Sequence, residues 1–315
     1  MIRQWLLWTL LPLLFCLTLG GEARALSCDI TQTDLNFGAP FNIFTEAPST
    51  AGSFTVKCPA LASTDYARVC IGFPRDIGME GYRLDKGLTY QIYTDASLST
   101  SWQTFGANWP YVDISSSTQI ITRNFYAAIF PGQIGVPVGL QSGTVKTRVL
   151  VYSYSASGTA PSCDSTTGAK LIYPPTSTAS AEIKATCTIS ATNMTFPSQT
   201  IITTDVLAEN RLTIQCTMDA DYWVSLDNGL YDGGSGQRRM KHDTKENYID
   251  YDLFRDSSRV SRWGRVVKGV DPALGTCNCA TGHTANIAVY GKIPKPDISP
   301  HAGLYKDTIT ATVEF

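Results

Sequence analysis

The chain has 315 residues, 25 Lys and Arg against 27 Asp and Glu, and a net charge of −2. This near-neutral balance excludes a nucleic-acid-binding face, which needs clustered Lys and Arg to neutralise phosphates. Charged residues make up only 17% while Ser, Thr, Gly and Tyr abound, a composition suited to turn-rich β structure outside the cell rather than to a cytosolic enzyme.

Residues 1–25 carry Arg3, an apolar run over residues 5–19 and then Ala23-Arg24-Ala25, the small-x-small pattern of a secretory cleavage site. The run is shorter than the ~20 residues a membrane span needs. Cleavage after Ala25 is expected, leaving 315 − 25 = 290 residues, enough for two domains with their own cores. Cys16 follows Phe15, where a lipoprotein site wants a small residue.

The rest of the chain is a duplication. Cys28-Asp29-Ile30-Thr31-Gln32-Thr33-Asp34-Leu35-Asn36-Phe37 returns as Cys187-Thr188-Ile189-Ser190-Ala191-Thr192-Asn193-Met194-Thr195-Phe196, an offset of 187 − 28 = 159. Tyr90, Asp95 and Trp102 return as Tyr251, Asp256 and Trp263 at 161, and Gly143 through Val149 answer to Gly303 through Ile309 at 160. Three landmarks at nearly one offset predict two homologous domains in tandem.

Eight of the nine cysteines follow the cleavage site, an even number in an exported chain, so disulfides are expected. Cys28 with Cys58 and Cys187 with Cys216 occupy matching places in the two copies, and each loop closure is worth roughly 3 to 4 kcal/mol. Cys70 and Cys163 have no counterparts and are expected to form a bridge peculiar to the first domain. Cys277-Asn278-Cys279 is expected to close on itself; the alternative is a metal site using His283, which would need further convergent ligands.

Phe54, Val56 and Cys58, like Leu212, Ile214 and Cys216, alternate with polar residues as half-buried strands do. The last stretch alternates too, with Ile309, Ala311, Val313 and Phe315 on one face. No window after the leader has a long helical period. The fold class is therefore all-β, two tandem two-sheet sandwiches. Residues 153–185, rich in Ser, Thr, Ala and Pro, read as a passive linker, although Ala179, Ala181, Ile183 and Ala185 alternate as an added strand would. The expected division is 1–25 signal peptide, 26–155 first domain, 156–185 linker and 186–315 second domain.

The second copy carries Tyr222-Trp223-Val224-Ser225-Leu226-Asp227-Asn228-Gly229, Arg239-Met240, Ile249-Asp250-Tyr251-Asp252-Leu253-Phe254, Trp263-Gly264, Val289-Tyr290-Gly291-Lys292-Ile293-Pro294 and Ala302-Gly303-Leu304-Tyr305-Lys306-Asp307. Together these resemble a spore coat protein U domain, closely over residues 187–315 and loosely over 28–155. The family includes subunits of archaic chaperone-usher pili. The resemblance implies an immunoglobulin-like sandwich one strand short, whose cleft is filled first by a periplasmic chaperone and then, through an outer-membrane usher, by the amino-terminal extension of the adjacent pilin subunit. It also implies Ile309, Ala311, Val313 and Phe315 as the face held by chaperone and subunit; the alternative is an ordinary last strand of a complete sandwich. Only Leu26 and Ser27 would precede Cys28 after cleavage, so the chain is expected to accept a strand but to have none to donate. That is the position of a tip adhesin, attaching to an abiotic or host surface and supporting biofilm formation. A secreted or spore-coat structural protein is the alternative.

Adhesion would then lie in the first domain, where two apolar segments are broken by Gly and Pro as exposed loops are. Their candidate contact residues are Phe105, Trp109 and Tyr111, and Phe130, Ile134 and Val136, unless these cap the domain core. Residues 40–44 form a third candidate loop. No nucleophile motif or carboxylate pair accompanies the isolated His242, His283 and His301, so neither enzyme activity nor a cofactor is expected. Gly233-Gly234-Ser235-Gly236 reads as a hairpin tip, and Arg238, Arg239 and Lys241 as a solvated basic turn.

Overall fold

A computed structural model describes residues 26–74, 81–102, 109–117, 119–155, 157–164, 166–174, 176–277 and 284–315. Alternating apolar residues build strands almost throughout, and a three-residue 3-10 turn, Asp85–Gly87, is the one helical element among them. The first sandwich contains β1 (Asp29–Gln32), β2 (Leu35–Asn36), β3 (Ser49–Lys57), β4 (Asp65–Gly72), β5 (Tyr82–Arg83), β6 (Thr89–Tyr93), β7 (Tyr111–Ile114), β8 (Ile120–Ile129), β9 (Gly139–Val145), β10 (Arg148–Ser155), β11 (Lys170–Ile172) and β12 (Ser177–Ile183). Its sheets run β1-β3-β8-β6-β5, β11-β10-β4-β7 and β2-β12-β9.

The second sandwich contains β13 (Cys187–Ala191), β14 (Val206–Cys216), β15 (Asp221–Leu226), β16 (Arg238–His242), β17 (Tyr248–Phe254), β18 (Gly275–Thr276), β19 (Thr284–Ile293), β20 (Tyr305–Lys306) and β21 (Ala311–Glu314). Its sheets run β13-β14-β19-β17-β16-β20 and β18-β15-β21.

Each sandwich has its own core. In the first, Phe54, Phe73, Trp102 and Phe125 pack ring against ring, with centroids 5.0 Å apart for Phe73 and Phe125 and 5.2 Å for Phe73 and Trp102. The duplicated tryptophans keep one role: Trp102 Nε1 donates to the Ile71 carbonyl on β4, and Trp263 Nε1 to the Val224 carbonyl on β15, both at 2.9 Å. The bridges Cys28–Cys58, Cys70–Cys163 and Cys187–Cys216 are present. Cys277 is buried with Sγ 3.4 Å from the Cys216 carbonyl, and Cys279 and His283 lie outside the described residues, as do residues 1–25.

The stretch expected to be a passive linker is structural over much of its length. β12 pairs antiparallel with β9, from Ser177 opposite Val145 to Ile183 opposite Gly139, and parallel with β2. Ser177, Ala179, Ala181 and Ile183 are all buried, because their inward alternation drops four small or apolar side chains into the first core. β11 continues the same run along β10. Residues 184–186 then lead directly into β13. Thr217 clamps this step: its N–H donates to the Thr186 carbonyl at 2.8 Å, and its Oγ1 accepts from the Thr186 N–H at 3.1 Å. Val138 N–H adds a bond to the Met218 carbonyl at 2.9 Å, tying residues 130–138 to the second sandwich.

Strand directions then define two ends of the first sandwich. β8 leaves at Ile129 toward the junction, whereas the Cys28–Cys58 bridge, Asp65, Ile114 and Ser155 sit at the opposite, distal end. In the second sandwich the matching bridge, Cys187–Cys216, lies at the junction beside Thr217. The two repeats therefore stack head to tail.

Candidate functional site

The outer edge of β21 distinguishes the two repeats. By the 160-residue offset, Val149 and Val151 on β10 match Ile309 and Ala311, and by the 159-residue offset Leu35 and Phe37 match Met194 and Phe196. The first-repeat residues are 0%, 3%, 0% and 4% exposed; their four second-repeat counterparts are only half-buried. The cause is visible in the sheets: β10 lies between β4 and β11, and β12 fills the space between β2 and β9. β21 pairs with β15, from Ala311 opposite Leu226 to Glu314 opposite Trp223, and among the described residues no strand pairs with its other edge. β13 runs alongside without pairing.

The difference in burial extends through the whole core. Among the described residues the first core has 31 buried members and five half-buried ones, whereas the second has 16 buried and 15 half-buried. Ile309, Ala311, Val313 and Phe315 belong to the half-buried group, together with Ile189, Met194 and Phe196. Such an edge offers unpaired N–H and C=O groups above an apolar floor, the arrangement to which an extended strand adds.

The residues that frame this edge are pinned from below. Asp307 accepts from the Tyr251 hydroxyl at 2.7 Å and the Leu230 N–H at 2.9 Å; Asp227 accepts from the Thr310 N–H at 2.9 Å and the Gly229 N–H at 3.0 Å. Burial first, and then the Asp307 carboxylate, push the Tyr251 hydroxyl pKa far up, so it stays a donor. His242 holds the preceding turn through Nε2 to the Ala302 carbonyl at 3.0 Å, and a side chain at Gly303 would meet that imidazole, its Cβ only 2.1 Å from Nε2. The glycine-leucine-tyrosine-lysine-aspartate motif thus fixes the strand that carries the open edge.

Arg238 corrects the expectation of a solvated basic turn. Its guanidinium is 0% exposed and donates to the carbonyls of Asp227 at 2.8 Å, Leu226 at 3.1 Å and Trp263 at 2.7 Å, and to Asp252 Oδ1 at 2.6 Å. Asp252 Oδ2 accepts from Arg262 at 2.5 Å. Desolvation lowers the Arg238 pKa, and the Asp252 hydrogen bond opposes it. Arg239 and Lys241 lie more openly against the Tyr248 ring, 4.5 Å and 5.9 Å from its centroid.

The five described candidate contact residues do not converge on one surface. Trp109 is 1% exposed, packed with Cys70, Leu150, Tyr152 and Cys163 on the outer face of β4 and β10. It covers Gly72, where any Cβ would meet the indole at 2.1 Å. Val136 is 4% exposed in the first core, and Phe41 and Ile43 are likewise buried, so these apolar residues serve packing. Phe130 is half-buried and Ile134 is exposed, but their loop is at the junction, held by Gln133 Nε2 to the carbonyls of Thr89 and Phe130, both at 2.7 Å. Tyr111 is exposed, with Arg68 stacked on its ring at 3.9 Å. Phe105 lies outside the described residues. The distal end is built instead from residues 59–64, 115–117 and 157–164, which apolar content alone did not single out.

A family model for the Spore Coat Protein U domain matches residues 15–147 and 175–312. Protein U of Myxococcus xanthus is 30% identical over 116 residues, which are 35% of this chain and 62% of that protein, so the chain spans less than two thirds of that relative. Among solved structures, the chaperone–tip adhesion subunit pre-assembly complex from archaic chaperone-usher Csu pili of Acinetobacter baumannii contains a chain 18% identical, with a TM-score of 0.45 over 92% of this chain and 100% of that one. The CupB6 tip adhesin from Pseudomonas aeruginosa is 11% identical, with a TM-score of 0.38 over 92% of this chain and 94% of that one.

Proposed function

The chain belongs to the Spore Coat Protein U domain family, and on that premise we propose that it is the two-domain tip subunit of an archaic chaperone-usher pilus. Its second sandwich receives a donor strand from the adjacent subunit along β21, after a periplasmic chaperone has held the same edge and an usher has exchanged the two. Its first sandwich faces outward and attaches the fibre to a surface, the step that begins a biofilm. The observation carrying this reading is the matched set of core residues, buried in the first repeat and half-buried in the second. Filling that edge would remove apolar surface from water at about 25 cal/mol per Å² and pair the open backbone groups.

Leu26, two residues ahead of Cys28, packs against the first core. Attachment is assigned to the distal loops, residues 59–64, 115–117 and 157–164, together with Tyr111. The test is the stability and solubility of residues 26–315 with and without a fused donor-strand peptide from a shaft subunit. Large stabilisation confined to the second sandwich is expected. A stable chain indifferent to the strand would instead favour a self-contained secreted or coat protein.

A further inference from the structure

β8 breaks its own pattern at one residue. Its inward positions are Ile121, Arg123, Phe125, Ala127 and Ile129, and all but Arg123 are apolar side chains of the first core. Arg123 stands opposite the buried Phe54, four residues ahead of Cys58, yet is itself exposed. The second repeat is regular at this place: Leu212, four residues ahead of Cys216, stands opposite Ile287, which packs half-buried against the second core. A cation where the duplicate keeps an apolar side chain is the kind of departure that functional sites make from a fold's own pattern.

A cavity lies beside it. β7 and β8 belong to different sheets, and residues from both line an opening of about 120 Å³. Buried Phe54, Ile71 and Trp102 form its floor, and Thr94, Arg123 and Asn124 stand at its mouth. The floor offers rings rather than hydrogen bonds: Phe54 and Trp102 meet edge to face at 5.7 Å, and the indole N–H is already given to the Ile71 carbonyl at 2.9 Å. The charge at the mouth is unmatched. Among the described residues no Asp or Glu lines the cavity or pairs with Arg123. Both oxygens of Asp113 accept from Arg68 at 2.8 Å, Asp95 is occupied by Ser97, Ser99 and Thr100 within its own turn, and residues 103–108 contain no carboxylate.

Size and chemistry together select the occupant. The volume suits a single ring, being close to the ~150 Å³ of an apolar cavity that takes benzene. A sugar ring would bury hydroxyls against a floor that cannot receive them, whereas a flat aromatic ring loses nothing there. At the rim, a guanidinium holds a carboxylate through two parallel N–H bonds. We propose that this cavity is a binding site for a small aromatic carboxylate, its ring seated on Phe54 and Trp102 and its carboxylate paired with Arg123. The site lies 57 − 54 = 3 residues, about 10 Å, in from the distal end marked by Lys57 and Ile120. It is separate from the edge of β21 and independent of the reading of the second sandwich.

The test titrates residues 26–315 with benzoate and follows, by NMR, the Trp102 indole N–H and the amides of residues 94, 112, 123 and 124. Saturable shifts with a Kd of about 1 mM or below are expected. Benzamide, of the same shape without the charge, should bind about tenfold or more weakly, and glucuronate, which keeps the charge on a sugar ring, should also bind more weakly than benzoate. Arg123→Met should weaken benzoate by about tenfold or more while leaving the denaturant midpoint of the first sandwich unchanged or higher, because the matching position is apolar in the second repeat; Arg123→Lys should bind between the two. Beads displaying 4-carboxyphenyl groups separate the two sources of such a ligand: retention that benzoate reverses means a group displayed on a surface, and benzoate binding without retention means a free solute. Absence of saturable shifts, or equal binding of benzoate and benzamide, would overturn the site. Tighter binding of glucuronate would overturn the aromatic assignment. An Arg123→Met chain that binds benzoate like the parent, or whose first sandwich melts at clearly lower denaturant, would show Arg123 to be only a structural cover for the cavity.

Discussion

Replacing Arg238 with Ala should destabilise the second sandwich selectively. The side chain is 0% exposed and joins four acceptors from β15, the turn after it, the Trp263 segment and β17. Removing one member of a buried ion pair costs about 3 to 5 kcal/mol, and each carbonyl left dry adds about 1 to 3. Two features hold the total toward the lower end. Asp252 keeps its Arg262 partner and is 20% exposed, and water can enter the vacated volume. A loss of about 3 to 4 kcal/mol is expected. Arg238→Lys should recover only part of it, because one ammonium cannot span four acceptors set around a planar fork. The assay is urea denaturation with amide exchange read separately over residues 26–155 and 187–315. A loss below about 1 kcal/mol, or an equal loss in both sandwiches, would refute this account of the buried guanidinium.

Ile183→Ala, at a fully packed site, should cost about 2 to 5 kcal/mol in the first sandwich, whereas Ile309→Ala, half-exposed, should cost roughly half as much in the second; denaturant midpoints decide. Trp109→Ala should destabilise the first sandwich by about 3 to 5 kcal/mol, so any loss of attachment should come with a loss of stability in the same thermal melt. The Asp256 carboxyl is held at about 2 by the Ser258 hydroxyl and the N–H groups of Ser261 and Val260. Because that value lies below its ordinary 3.8, the contribution of these bonds is complete above about pH 4 and disappears as pH falls through 2. Exchange over residues 257–261 should accelerate in that window, and Asp256→Asn should abolish the dependence.

Much of this was legible because it is written in local pattern. Matching cysteines marked both repeat bridges, and the alternation of Phe54 with Val56 and of Leu212 with Ile214 marked strands that are indeed half-buried. β12 was harder to read, since Ser177, Ala179 and Ala181 are too weakly apolar to announce burial; only their regular alternation hinted at it. Trp109 misled because an aromatic beside Pro resembles an exposed loop, and the signal that it covers Gly72 lies 37 residues away, at 109 − 72. Arg238 misled for a similar reason: its acceptors are mostly backbone carbonyls, which carry no residue signature. The end of a domain at which a loop emerges depends on strand direction, not on composition, so residues 130–138 could not be placed at the junction before the register of β8 and β9 was known.

The central claim is that β10 is covered and its duplicate β21 is open. Native-state amide exchange of the strand-free chain compares them directly. Val149, Leu150 and Val151, flanked by β4 and β11, should exchange only with opening of the whole first sandwich, while the outward amides of residues 311–315 should exchange faster by orders of magnitude. Equal protection of the two strands would contradict it.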